Sequence, residues 1–509
     1  MKKEKIIRIL TYFYLIPFLT AVFFNTWNSL LRTGYFETGQ YVEIVKYRWN
    51  YFPITLALTG IVLALLIVST RRKAVSGKTV RKWAMVWAGA VSLCSILLFR
   101  AVAKCDSEFL SEAAIQLLQG NYSAFQAGEY LYMYPFQLGY TAFIELIYRL
   151  FGIENYIVFQ LINAGCIIKL IGILGDITWE LFESETVCKI EAYLSMGLFP
   201  LFLLSTFIYG DILGWCFGLH AVFYIICYLK RKNRWDMIKS SIWLTFGVLM
   251  KSNMNILVVA VAIILLLYAV MKKKKCFLFW ALEIVIVSQL AITIVNGIYS
   301  LRMGESLPEG IPKIAWVAMG VQEPHEAGSA SGWYNGYNWT VYVENAYDSE
   351  KTSRACAENL KQSIGRFWES PGAALRFFYD KFTSQWNEPT FMALLTNEWY
   401  SRNEEPQSAI AVFLLYGAGK DILYEIMKAY HFLIFLLTTA GVAAVIKRWK
   451  PEQAYFILNI FGGMLFHMIW EAKTRYVLGY FVLMVPIAAY GFQELIRAVQ
   501  NLYMKRRAA

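Results

Sequence analysis

Apolar residues in this chain fall into long uninterrupted runs separated by short polar stretches. They show neither the one-sided period of an amphipathic helix nor the alternation of a half-buried strand. The run from Met254 to Val270 approaches the length of about 20 residues that a helix needs to cross a bilayer. Comparable runs at 6–28, 51–70 and 83–101 predict three spans in the first fifth of the chain. The first follows Met1-Lys2-Lys3-Glu4-Lys5 as a signal peptide would, but no small-residue cleavage site follows and the run continues through Phe23, Phe24 and Trp27. It is expected to be a retained helix with a cytoplasmic N-terminus.

Charge decides which side each run ends on. Basic residues flanking spans mark the cytoplasmic face. The stretch Arg71-Arg72-Lys73 to Arg81-Lys82 is therefore expected inside, and the third span delivers 102–133 outside. Three apolar segments follow, at 134–152, 155–180 and 187–209, and then a span at 212–230 ending in the basic Lys230-Arg231-Lys232. Going from an external 102–133 to an external Asp211 requires an even number of crossings, so one of the three does not cross. The segment 134–152 is the shortest, and Pro135, Gln137, Glu145 and Arg149 interrupt it. It is expected to lie at the outer interface.

A helical hairpin with its outer tip at Lys251-Ser252-Asn253 comes next, then a span at 276–299. Residues 300–424 carry many charges, six prolines and no run long enough to cross, which predicts one large external loop. Spans at 425–446, 452–471 and 476–495 finish the chain, with Lys447-Arg448-Trp449-Lys450 and Lys505-Arg506-Arg507 inside. The expected fold class is an all-α polytopic membrane protein of about twelve spans with both termini cytoplasmic. The expected organisation is a hairpin and basic linker at 1–82, a core at 83–299, the external loop domain at 300–424 and C-terminal helices at 425–509. No internal repeat is present, so an inverted-repeat transporter gains no support.

Composition sharpens this picture. The chain has 509 residues, 58% hydrophobic and 17% charged, against about 25% charged in soluble domains. Its net charge of +12 would suggest nucleic acid in a soluble protein, but here the excess sits between apolar runs. The bilayer is the expected partner and nucleic acid is not. Cys94, Cys166, Cys216 and Cys227 lie inside apolar runs, as small core residues do. Cys105 and Cys356 fall in external segments, and the sequence leaves open whether they pair.

Ionisable groups at a membrane face are functional candidates by default, and four groups share the outer face. Lys104-Cys105-Asp106-Ser107-Glu108 offers Asp106 and Glu108 as a general base or metal ligand; the alternative is a helix end with ordinary loop charges. Tyr209-Gly210-Asp211 brings a second acid to that face, or is simply a Gly-Asp turn. Lys251 suits a phosphate, or snorkels at the boundary. In Glu471-Ala472-Lys473-Thr474-Arg475-Tyr476, Arg475 suits a bidentate phosphate contact, or pairs with Glu471 four residues away. In the external loop, Gly332-Trp333-Tyr334-Asn335-Gly336 suits sugar stacking or a packed turn, and His325 is a further candidate. No phosphate-binding loop, dinucleotide fingerprint, zinc spacing or Ser-His-Asp arrangement is present.

These residues, in this order and on one side, resemble the GT-C glycosyltransferases that use polyprenyl-phosphate sugars. The chain is similar to the protein O-mannosyltransferase branch and the lipid A aminoarabinose transferases over roughly 83–495. The resemblance implies an inverting transferase acting on a lipid-linked sugar at the outer face of a plasma membrane, with a bacterial membrane fitting best. The acceptor would be an envelope glycan, lipid or protein. Asp106 would be the catalytic acid of the first external loop, with Glu108 displaced by Ser107 from the usual acidic pair. Asp211 would be the second acid, and a divalent metal ion on Asp106 and Asp211 is expected. Lys251, Glu471, Arg475, Tyr476, Trp333, Tyr334 and His325 would bind substrate. The chain departs from the family in having Ile212-Leu213-Gly214 where a proline often follows the second acid, and Leu478-Gly479-Tyr480 where prolines often follow Arg-Tyr. A flippase for lipid-linked saccharides is the alternative, and it would need polar groups deep inside several spans.

Overall fold

The computed structural model describes residues 2–37, 43–71, 75–323, 330–401 and 407–508. Arg72, Lys73 and His325 lie outside them. Among the described residues, nine helices are long and apolar enough to cross a membrane. A tenth crossing is a bent pair, Glu185–Ser195 and Phe199–Thr206, broken by 52°. Gly197 and Pro200 sit at the break, and Pro200 cannot supply the amide that would continue the helix. Two shorter helices, Arg234–Met250 and Pro451–Ile469, occupy the remaining expected positions. The protein is an all-α, multi-pass membrane protein, and helices stand at all twelve expected spans.

The bundle has two chemically distinct ends. At one, basic residues tie neighbouring helices together. Lys230 pairs with Glu180 at 3.2 Å, Arg448 with Glu494 at 2.7 Å, and Arg81 with Asp176. Lys232 lies over the rings of Tyr268 and Phe277. These are the clusters that charge patterning groups on one face, and they share one end here.

At the opposite end the segment after the third span does not cross. The helix Leu138–Phe151 packs against Asp106–Leu118 and the end of Lys275–Met303. The polar residues that interrupt the apolar run explain its position. Glu145 is buried and takes hydrogen bonds from both terminal nitrogens of Arg302, each at 2.9 Å, from Arg149 at 3.0 Å and from the Tyr299 hydroxyl. Burial pushes that carboxyl up, but these donors outweigh it and hold it below the usual range. A carboxylate so clamped ties the short helix to the top of a span.

Sequence patterning did not anticipate the small antiparallel hairpin Arg32–Phe36 and Val45–Trp49, with Arg32 opposite Trp49 and Phe36 opposite Val45. It too stands at this end. Gly34 N–H donates to the carbonyl of Asn387 at 3.0 Å, and Asn387 Nδ2 donates to the carbonyl of Arg32 at 2.6 Å. The first loop is thereby fastened to the segment between Gly304 and Gly417, whose described residues include six helices.

Candidate functional site

A cavity of about 440 Å³ opens where the short helix, the external segment and the ends of the spans meet. Its floor begins with two glycines. A Cβ on Gly210 would overlap the carbonyl oxygen of Met250, and one on Gly214 would lie 2.8 Å from Cβ of Lys251. Only glycine lets the start of the helix Asp211–Arg231 press onto the end of Arg234–Met250 this closely. That approach sets Asp211 Oδ2 3.0 Å from Lys251 Nζ. Asp211 is the first residue of its helix, where a carboxylate is also favoured by the helix dipole.

Arg475 closes the cluster. Its Nε is 3.9 Å from Asp211 Oδ1, and its guanidinium lies 4.2 Å from the ring centre of Phe207. Lys251 Nζ is 4.1 Å from the ring centre of Tyr209 and 5.6 Å from that of Tyr476. Asp211, Lys251 and Arg475 are each less than one-tenth exposed. Burying two cations against one anion leaves a positive excess, and Arg475 Nε has no hydrogen-bond partner among the described residues. Only Lys251 reaches the main cavity. Arg475 lines a small void behind it with Asp211. The expected pairing of Glu471 with Arg475 does not form, because Arg475 turns to Asp211.

The rim is acidic. Asp106 is the first residue of the helix Asp106–Leu118, follows Cys105 at φ 53°, and is exposed to the cavity. Among the described residues its carboxylate makes no hydrogen bond or ion pair. Glu108 lies away from the cavity wall, 3.8 Å from Lys104. Glu471 lines the cavity at 5% exposure, likewise without a hydrogen bond or ion pair among the described residues. Burial, with Glu43 and Asp106 adding to it against Lys473, pushes its carboxyl up to about 7.

Aromatic residues wall the space. Tyr134, Phe136, Trp316, Trp470 and Tyr334 all line it, with Trp316 and Trp470 parallel at 5.9 Å between ring centres. Of the two aromatic residues expected to stack on sugar, the structure separates one from the other. Tyr334 is half-exposed in the cavity. Trp333 is buried, donates Nε1–H to Ser384 Oγ at 2.9 Å and packs on Phe36. Its backbone bridges to Ala472, and Lys381 Nζ donates to the carbonyls of Gly320 and Trp470 behind it. Trp333 therefore joins the external segment to the loop carrying Glu471.

Sequence reasoning missed Glu43, Lys473 and the aromatic walls. Glu43 enters from the small hairpin and pairs with Lys473 at 2.6 Å. The alternating Val45-Lys46-Tyr47-Arg48-Trp49 was the available signal for that hairpin. On the membrane side, Gln289 and Asn296, two turns apart on the helix Lys275–Met303, line the cavity, and Gln289 donates to Asn255 Oδ1 at 2.9 Å.

The expected sharing of a divalent ion by Asp106 and Asp211 does not fit this arrangement. Both Asp211 oxygens face cations, which would repel a third. The described residues contain no group of three or more His, Cys, Asp or Glu side chains able to hold a metal. The eight cysteines, Cys105 and Cys356 included, are free thiols.

No family model matches the sequence, and a search of curated proteins returns no match. Among solved structures, the archaeal oligosaccharyltransferase from Archaeoglobus fulgidus, in complex with an inhibitory peptide and a dolichol-phosphate, aligns at 13% identity with a TM-score of 0.39. The alignment covers 84% of this chain and 52% of that one, so the chain spans about half the length of that protein. At that score the likeness supports no inference about this chain.

Proposed function

We propose that this protein is a membrane-embedded, inverting glycosyltransferase that moves a sugar from a polyprenyl-phosphate donor to an acceptor hydroxyl on the extracytoplasmic side. One observation carries the reading. A buried lysine held by a carboxylate opens at the floor of an aromatic-walled cavity whose rim presents an unpaired carboxylate, and one wall of that cavity is made by membrane spans.

The donor's lipid would lie against the spans, passing the polar stripe of Asn255, Gln289 and Asn296. Its phosphate would meet Lys251, and Asp211 would act as a positioning residue that keeps Lys251 charged and aimed, with Arg475 adding positive charge behind it. Asp106 would take the proton from the acceptor hydroxyl. That oxygen attacks the anomeric carbon from the face opposite the phosphate. The carbon–oxygen bond to phosphate breaks, and its electron pair leaves with the lipid phosphate, stabilised by the preset cation. Attack from the opposite face inverts the anomeric centre. Trp316, Trp470 and Tyr334 supply flat apolar faces for a sugar ring. A neutral Glu471 would donate a hydrogen bond to the sugar or its phosphate. The acceptor hydroxyl would belong to an envelope glycan, lipid or protein. The cavity's polar residues gather at one end of the bundle rather than along a path through it, which favours transfer over flipping.

Purified protein offered a panel of radiolabelled polyprenyl-phosphate sugars, with and without chelator, tests this. Release of polyprenyl phosphate that depends on Asp106 is the expected result. No turnover of any donor, together with movement of the same lipids across liposomes, would replace this reading with a flippase.

A further inference from the structure

Outside the cavity, the largest exposed apolar side chains of the external segment gather at one corner. The helix Ser349–Glu369 ends there, and Pro371, whose fixed φ suits a first helical position, starts the helix Pro371–Trp386. Phe367 packs on Phe377 and Phe378, with ring centres 5.1 and 5.3 Å apart, and makes the corner rigid. Two residues escape that packing. Trp368 is 81% exposed and Leu375 is 74% exposed. Solvent-facing loops rarely leave both an indole and a leucine this bare.

What covers them follows from the stripe to which Leu375 belongs. Leu375, Tyr379 and Phe382 recur at helical spacing along one side of the helix. At its far end this stripe packs on the first span, with Phe24 5.7 Å from Tyr379 and 6.0 Å from Phe382 between ring centres. Beside Phe24, the span exposes Phe23 at 51% and Trp27 at 52%, near the end of its apolar stretch at Leu31. The apolar stripe therefore continues a surface that already faces lipid. Arg366 and Arg376, both exposed, flank it; Glu369 stands at the turn, and Asp380 further along the helix accepts from Ser331 N–H at 2.7 Å. An indole and a leucine flanked by arginines match the chemistry of the headgroup layer, where the ring sits half-wet and the cations meet lipid phosphates.

We propose that the corner formed by Trp368 and Leu375 is seated in the headgroup layer of the bilayer at the cavity end, with anionic lipid as its partner. The seat holds the external segment at a fixed height, and with it the Lys313, Trp316, Tyr334 and Asn338 wall of the cavity. It stands independently of the transferase reading.

The test uses the full chain in nanodiscs of phosphatidylcholine and phosphatidylglycerol, with and without lipids brominated near the glycerol. The Trp368 signal is the difference between the wild-type and W368F emission spectra. Shallow bromines are expected to reduce it by about half, as for an indole held at headgroup level, and bromines near the chain ends to spare it. A signal quenched by aqueous iodide but untouched by bromolipid would overturn the proposal in favour of free solvent exposure. A signal shielded from both would overturn it in favour of a second copy of the chain. Should W368F fail to fold, Leu375→Trp in the otherwise intact chain places a second reporter on the same seat, with the same three outcomes.

Discussion

Behind the floor of the cavity Asp211 contacts two cations, whereas at its rim Asp106 forms no ion pair among the described residues. Both aspartates open a helix, both stand at the same end of the bundle, and both look alike in the sequence. The difference comes from what each helix packs against. The Asp211 helix meets its neighbour closely across glycine, which buries the carboxylate and sets it against protein partners. The Asp106 helix starts at the cavity mouth, where its carboxylate stays hydrated and available to a substrate proton. Similar residues at similar positions thus divide into one that is buried among cations and one that is exposed, to which the proposed reaction gives the proton transfer.

Substitutions at the two aspartates give the sharpest contrast. Asp106→Asn is expected to cut sugar transfer by about 10²–10⁴-fold, the range of a lost general base. Its thermal unfolding should match that of the parent, because the group is exposed and unpaired. Asp211→Ala is expected to abolish transfer as well, but with a stability cost of about 3–5 kcal/mol from two stranded buried cations. Adding Lys251→Met to Asp211→Ala should recover part of that stability and none of the activity. Thermal melts and turnover on all four proteins would decide it. An unstable Asp106→Asn protein, or an active Asp211→Ala protein, would erase the distinction between floor and rim.

A smaller effect marks Glu471 by pH. Glu471 is held protonated up to about 7, well above its ordinary value. It faces Glu43 and Asp106, which oppose its ionisation, and Lys473 and Arg475, which favour it. The native state therefore holds this proton more tightly than the unfolded chain. The resulting stability is complete below an unfolded carboxyl value of about 4.3 and is lost as pH rises through about 7. Lys381 nearby runs the other way. Burial lowers it to about 7, so its part of the stability rises from there toward alkaline pH. Comparing melts of the parent with Glu471→Gln across pH 4.5–8 reports Glu471 together with its charge interaction with Lys381, whose charged form the Glu471 carboxylate favours. A difference that grows in favour of the glutamine protein as pH rises is expected. A flat difference would mean that Glu471 ionises freely, as an ordinary rim acid.

The spans, the non-crossing helix and the shared side of the four polar groups were legible in the sequence, because run length and basic flanks act locally. Glu145 and Arg149 marked the short helix by interrupting an apolar run, although the reason for them, a clamp by Arg302, lies about 150 residues away. What could not be read was pairing. Arg475 is four residues from Glu471 and 264 from Asp211, yet tertiary packing selects Asp211. Likewise Glu43 lay in a loop of no evident importance until the hairpin carried it beside Lys473. Contacts that depend on closure between distant segments leave no periodic trace.

The smallest effect lies in the external loop, where Trp333 and Tyr334 were indistinguishable as sugar-stacking candidates. Trp333 is expected to act on stability and Tyr334 on substrate. Trp333→Phe keeps most of the buried ring but removes the hydrogen bond that Ser384 Oγ accepts, leaving Ser384 its donation to the Lys381 carbonyl, a loss of about 1 kcal/mol, with KM unchanged once the protein is folded. Tyr334→Ala removes a half-exposed ring from the cavity wall. It is expected to leave the melting temperature within error and raise KM for the sugar donor about 3–10-fold, as loss of one aromatic contact of about 0.5–1.5 kcal/mol implies. The adjoining residues point to opposite sides of one loop, so the two readouts should exchange between them. If both substitutions moved only stability, the loop would be a packed turn, and the aromatic wall for the sugar would rest on Trp316 and Trp470 alone.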